Sequence, residues 1–124
     1  MIKPKKSLGQ NFLVDNNILN KIINLSEINN NNIVEIGPGT GNLTNKIIEQ
    51  KPKNLILIEK DQNLSSELKK RLKENKRINI FNEDILKFNL EKNIKKDSII
   101  IGNLPYNISS QILIKLIRFN KWLP

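Results

Sequence analysis

A chain of 124 residues, 38% of them hydrophobic and none of them cysteine or histidine, has material for one modest core. It excludes a disulfide framework, a Cys/His metal cluster, and Cys or His as nucleophile or general base. The formal net charge is +9, yet 18 of the 21 basic residues are lysine and Asn, Ile and Lys fill nearly half the chain, so an AT-rich codon bias accounts for much of the excess and charge alone does not establish a nucleic-acid partner.

Residues 1–14 form a basic arm, with Lys3, Lys5 and Lys6 and no acid. The arm lacks the apolar stretch of a secretory signal, and no later run reaches membrane-span length, which points to a cytoplasmic protein. Residues 15–124 read as one α/β unit. Ile18, Leu19, Ile22, Ile23 and Leu25 recur at helical spacing and predict a helix over about 15–27, opened by Asp15. Ile33-Val34-Glu35-Ile36 is a short buried strand that stops at Gly37-Pro38-Gly39-Thr40-Gly41, and Leu43, Ile47 and Ile48 give the next helix. The pattern repeats with Leu55 to Ile58 ending at Glu59, a helix carrying Leu64, Leu68 and Leu72, and Ile78 to Phe81 ending near Glu83-Asp84. A fourth strand, Ile99-Ile100-Ile101, ends in Gly102-Asn103, and Ile112, Leu113, Leu116 and Ile117 predict a closing helix. Apolar strands alternating with helices describe a doubly wound parallel sheet, which binds ligands beyond the carboxyl ends of its strands.

Several candidate residues stand at that end. Three glycines directly after an apolar strand let the main chain turn sharply and meet a ligand closely, and their spacing differs from the dinucleotide fingerprint. Glu59 can accept from both hydroxyls of a ribose, which makes an adenosine ligand the better reading than a lone surface acid. Asp84 can accept from an adenine amine while an apolar neighbour covers the ring; a helix N-cap is the alternative. Asn103-Leu104-Pro105-Tyr106 offers more. A base amine is a poor nucleophile, and acceptors that hold its two hydrogens turn its lone pair toward a methyl donor. The Asn103 side-chain oxygen and the Leu104 carbonyl, stiffened by Pro105, can be those acceptors, while Tyr106 stacks on a flipped base. No metal is required.

Lys5 to Leu13 (Lys-Lys-Ser-Leu-Gly-Gln-Asn-Phe-Leu), Ile36 to Gly41 and Asn103 to Tyr106 together resemble the ribosomal-RNA adenine N6,N6-dimethyltransferase family, over the chain to about Ile117. The resemblance implies a class I methyltransferase fold, S-adenosylmethionine as cofactor, and dimethylation of two adjacent adenosines near the 3′ end of small-subunit rRNA. Its implied partners are that rRNA and the pre-30S particle, with no membrane or metal and a monomeric full-length protein. By motif, Asn11 and Leu13 would touch the cofactor from the arm, with Gln10 and Phe12 shaping it. Gly37 would approach the methionine portion, Glu59 the ribose and Asp84 the adenine, and Asn103 would stand between cofactor and target amine.

Family members continue with further strands, a second aromatic clamp and a small helical domain. The chain is therefore expected to be a fragment, truncated after about the fourth strand, with that strand's apolar edge uncovered and no turnover alone. A non-catalytic RNA-binding or assembly factor on the same fold is the competing class. A DNA adenine methyltransferase is the nearest enzymatic rival, although proline usually stands there where Leu104 stands here, and the arm would go unexplained.

Overall fold

Burial on both faces is what the runs Leu55 to Ile58 and Ile99 to Ile101, and Ile33 to Ile36 apart from Glu35, demand, because β-branched and leucine side chains alternate across a strand and leave both faces apolar. The computed structural model describes residues 16–25, 27–105 and 110–116. In chain order it contains α1 (Asn16–Leu25), β1 (Asn32–Ile36), α2 (Asn42–Glu49), β2 (Asn54–Ile58), α3 (Gln62–Leu72), β3 (Ile78–Phe81), α4 (Leu90–Asn93), β4 (Ile99–Pro105) and β5 (Ser110–Leu116).

The sheet order is β3-β2-β1-β4-β5. The first four strands run parallel, with Ile36 paired to both Ile58 and Gly102, and Ile58 paired to Phe81. The chain steps outward from β1 to β2 and β3, then returns to place β4 on the other side of β1. The gap beyond the carboxyl ends of β1 and β4 is thus the topological switch point, where open α/β sheets hold ligands.

One face of the sheet packs Ile33, Leu55, Leu57, Ile99 and Ile101 against Leu19 of α1, Leu43 and Ile47 of α2, and Leu68 of α3. The other packs Val34, Ile58 and Ile100 against Phe88 and Ile94, which flank α4. Phe81 and Phe88 meet edge to face there, with ring centroids 5.1 Å apart. The helix ends follow local chemistry. Asp61 caps α3 by accepting from the Leu64 N–H at 3.0 Å, and Lys69, Lys70 and Arg71 occupy its last turn, where the helix dipole favours cations. The four-residue α4, capped by Asn89, carries too little periodicity to read from sequence.

The helix expected at residues 112–117 differs in the structure. Ser110–Leu116 is a strand, antiparallel to β4 from Ile99↔Leu116 to Pro105↔Ser110. The segment carries two periods at once, since Ile112, Ile114 and Leu116 also recur every second residue. The outer edge of β4 presents a row of N–H and C=O groups, and pairing them decides between the two periods. The edge expected to be bare is accordingly covered by β5.

Leu57 is fully buried at the centre of the sheet. Leu57→Ala is expected to lower unfolding free energy by about 2–5 kcal/mol in urea titrations, from lost transfer energy and the cavity left behind. An unchanged midpoint would contradict this core.

Candidate nucleotide cleft at the carboxyl edge of the sheet

Register places Gly37, Glu59, Asn82 and Asn103 in one row, each immediately after a residue of the Ile36, Ile58, Phe81 and Gly102 ladder. Hydrogen bonding continues into the row. The Gly37 N–H donates to the Ile58 carbonyl and the Glu59 N–H to the Phe81 carbonyl, both at 2.9 Å.

The glycine loop turns back at once, with the Gly41 N–H donating to the Pro38 carbonyl at 2.9 Å. Gly39, at φ +59°, aims its N–H at Glu59 Oε1, 2.9 Å away, and the Asp61 N–H donates to Glu59 Oε2 at 2.9 Å. The carboxylate therefore bridges the β1–α2 loop and the start of α3. Glu59 is 5% exposed, and burial is the main influence raising its pKa; the amide bonds from Asp61 and Gly39 oppose it, and the nearby Asp61 charge adds to it. Each carboxylate oxygen keeps a further lone pair, so the group can accept from a vicinal diol. Gly41 is a second constrained position. Its φ is +92°, and a Cβ there would fall on the Arg71 guanidinium, whose Nη1 donates to the Thr40 carbonyl at 3.2 Å.

Asp84 lies further out. Its Oδ1 accepts from the Leu86 N–H at 3.0 Å and its Oδ2 lies 4.0 Å from Lys60 Nζ. It organises the Asp84 to Lys87 turn and does not cap a helix, because α4 begins at Leu90. Asn82 ties this loop to the β2–α3 loop by donating to the carbonyls of Glu59 and Lys60 at 3.0 and 3.1 Å. The two apolar residues after Asp84 divide: Ile85 packs on the second core cluster, and Leu86 stands 90% exposed. Asn103, Leu104 and Pro105 belong to β4, which runs on through them, and Asn103 adjoins the residue paired to Ile36. Asn11, Leu13 and Tyr106 lie outside the described residues.

Glu35 was not among the residues the sequence marked. It sits in β1 on the same face as Glu59, fully buried, and Thr44 Oγ1 donates to its Oε1 at 2.6 Å. Burial pushes its pKa up to about 8, the Thr44 hydroxyl opposes the rise, and the Glu59 carboxylate adds to it. The signal was available: an acid within an otherwise apolar strand buried on both faces has to be neutral or paired. Its bond to Thr44 anchors the first turn of α2 directly behind the glycine loop.

Among the described residues, no group of three or more His, Cys, Asp or Glu side chains could hold a metal, and no helix is long and apolar enough to cross a membrane.

Comparisons with known proteins identify the family. The profile of the family described as "Ribosomal RNA adenine dimethylase" matches residues 1–122. A protein named ribosomal RNA small subunit methyltransferase A from Pelagibacter ubique is 49% identical over 117 residues, which are 94% of this chain and 44% of that protein. Its namesake from Mycoplasmopsis synoviae is 43% identical over 114 residues, 92% of this chain and 43% of its own. The chain thus spans less than half the length of these relatives. Among solved structures, a dimethyladenosine transferase from Plasmodium falciparum superposes with a TM-score of 0.64 at 36% identity, covering 80% of this chain and 35% of that one. The 23S rRNA methyltransferase ErmE gives 0.66 at 26% identity, covering 79% and 39%.

The raised pKa of Glu35 has a consequence for stability. Its carboxyl titrates near 4.5 when unfolded and near 8 when folded, so between those values the native state binds the extra proton. Stability from this group is complete below about pH 4.5 and declines as pH rises toward about 8. Glu35→Gln keeps an acceptor for Thr44 and cannot ionise. Its melting temperature relative to the parent protein is expected to rise between about pH 5 and about pH 8 by calorimetry. A constant difference would mean that Glu35 is ionised throughout.

Proposed function

Because the chain belongs to the ribosomal RNA adenine dimethylase family, we propose that it contributes the cofactor-binding part of an enzyme that transfers methyl groups to the N6 amines of two adjacent adenosines near the 3′ end of small-subunit rRNA, dimethylating each. The observation that carries the reading is the Glu59 bridge. It is a buried carboxylate beside the switch point, tied to the glycine loop and separated from the row position of Asn103 by the single strand that ends at Gly37.

The residues fit S-adenosylmethionine. Glycines at 37, 39 and 41 carry no side chain into the loop, and the first three residues beyond β2 and β3 hold four acids, Glu59, Asp61, Glu83 and Asp84, against Lys60. Such an edge suits a cationic nucleoside. When bound, the cofactor supplies an electrophilic methyl group on a sulfonium. Glu59 would accept from the ribose hydroxyls, Asp84 would accept from the adenine amine with Leu86 beside it, and Gly37 would let the main chain approach the methionine portion. Asn11 and Leu13 of the arm would add contacts to the cofactor. Asn103 and the Leu104 carbonyl, stiffened by Pro105, would accept the two hydrogens of the target amine and turn its lone pair toward the methyl donor, while Tyr106 would stack on the flipped base. The whole protein acts on rRNA in the pre-30S particle, as a cytoplasmic monomer.

Two measurements test this in the full-length protein. Glu59→Ala is expected to weaken S-adenosylmethionine binding by about 1.5–3 kcal/mol, the loss of charge-assisted bonds, and calorimetry with unchanged affinity would remove Glu59 from the site. Asn103→Ala is expected to slow methyl transfer by roughly two to three orders of magnitude with RNA affinity nearly unchanged, because its contact matters mainly in the transition state. A tritiated-methyl assay in which that variant retains robust activity would sink the mechanism.

A further inference from the structure

The opposite end of the sheet has the reverse character. In the three residues preceding β2, β3 and β4 stand Lys51, Lys53, Lys76, Arg77 and Lys96, all exposed, against Asp97. The β2 and β3 loops at the cofactor end hold four acids and one base over the same span. A lysine-rich composition raises both ends equally and does not produce this polarity. Helix dipoles explain part of it, since α2 and α3 end here. They do not explain Lys53 and Arg77, which lie beyond the last turns, next to the strand starts. Backbone bonds hold both residues: the Lys53 N–H donates to the Asn31 carbonyl and the Arg77 carbonyl accepts from the Leu55 N–H, each at 2.9 Å.

A cavity of about 170 Å³ opens among these loops, with Asn32, Asn54, Asn79, Asn93, Lys95 and Ser98 in its lining. It lies at the amino ends of the strands, on the face that α4 leaves partly open. Asn54 Nδ2 donates to Asn32 Oδ1 at 3.0 Å, which directs the Asn32 amide nitrogen and the Asn54 carbonyl oxygen elsewhere. A row of amides offers donors and acceptors side by side, the pattern that reads a base edge or a sugar hydroxyl. The volume is below that of drug-sized sites and suits a single heterocycle.

We propose that this amino edge is a second RNA-contact surface, separate from the cofactor cleft, in which the lysine and arginine loops hold phosphates and the asparagine cavity takes one unstacked nucleotide. The inference rests on the proposed function only in taking RNA as the partner. The two ends are about 17 Å apart, the length of a five-residue strand, which exceeds the screening length at physiological salt. Phosphates at one end therefore leave the acidic, cation-accepting end undisturbed, and a large folded RNA can reach both.

The test measures fluorescence anisotropy of a labelled single-stranded oligoadenylate with the full-length protein across a salt series. The combined variant Lys51→Gln, Lys53→Gln, Lys76→Gln and Arg77→Gln is expected to lose about tenfold or more in affinity near 0.1 M salt, and its slope of log affinity against log salt is expected to flatten by about two to three, given roughly 0.7 per phosphate contact. Asn79→Asp, an exposed substitution that adds a negative charge to the cavity, is expected to weaken binding about three- to tenfold. Melting temperature and S-adenosylmethionine affinity should match the parent in both variants. An unchanged salt slope in the fourfold variant overturns the proposal, as does an equal loss when Lys21→Gln and Lys46→Gln are made on the helices. Failure of the parent protein to bind S-adenosylmethionine would defeat the proposed function alone, since the salt slope reports the amino edge independently.

Discussion

The cleft is organised around one buried carboxylate. Glu59 takes the Gly39 N–H on one oxygen and the Asp61 N–H on the other, and so joins the loop after β1 to the loop after β2. The bond is available only because the parallel register ends both strands level, with Ile36 opposite Ile58, and because Gly39 adopts a positive φ that turns its amide toward the acid. A one-residue slip would carry Glu59 to the other face of the sheet and leave the loop without its anchor.

A second acid lies behind the first. Glu35 and Glu59 occupy neighbouring strands on one face, beneath α2 and α3, where two buried negative charges would repel strongly. The solution is a division of roles. Glu59 keeps two backbone donors at 5% exposure, whereas Glu35 is enclosed, takes a hydroxyl from Thr44, and is pushed toward the neutral form. The neutral acid then serves as a fastening for the first turn of α2. Arg71 fastens the other side of the same loop from α3, at the Thr40 carbonyl. The glycine loop is thereby held from the strand below, from its own helix and from the next one.

Chain direction converts this arrangement into an electrostatic polarity. In a parallel sheet every strand enters at one end and leaves at the other, so residues that precede strands collect at one edge and residues that come after them at the opposite edge. Acids after β2 and β3 and bases before β2, β3 and β4 thus separate without any long-range pairing. One small unit thus carries an acidic edge and a basic edge.

Most of the parallel core was legible in the amino-acid sequence, because strands buried on both faces are written as unbroken apolar runs and their helices as four-residue repeats of leucine and isoleucine. The position of Gly37 to Gly41, Glu59 and Asp84 was legible for the same reason, since the residues just past a buried parallel strand must stand at the carboxyl edge of the sheet. Ser110–Leu116 reads as a helix and folds as a strand, because periods of two and of nearly four coexist in it and only the unpaired groups of β4 select between them. Glu35 was legible as an acid in a buried strand but its partners were not, because Thr44 and Glu59 come within reach only once the sheet is assembled. The asparagine cavity escaped for the same reason, as Asn32, Asn54 and Asn79 lie far apart in the chain and meet only through parallel register. Local pattern by itself determined which segments are buried and which chemical groups stand at the end of each strand; tertiary pairing alone decided which of those residues touch, because contact across strands depends on register and register is a property of the folded sheet.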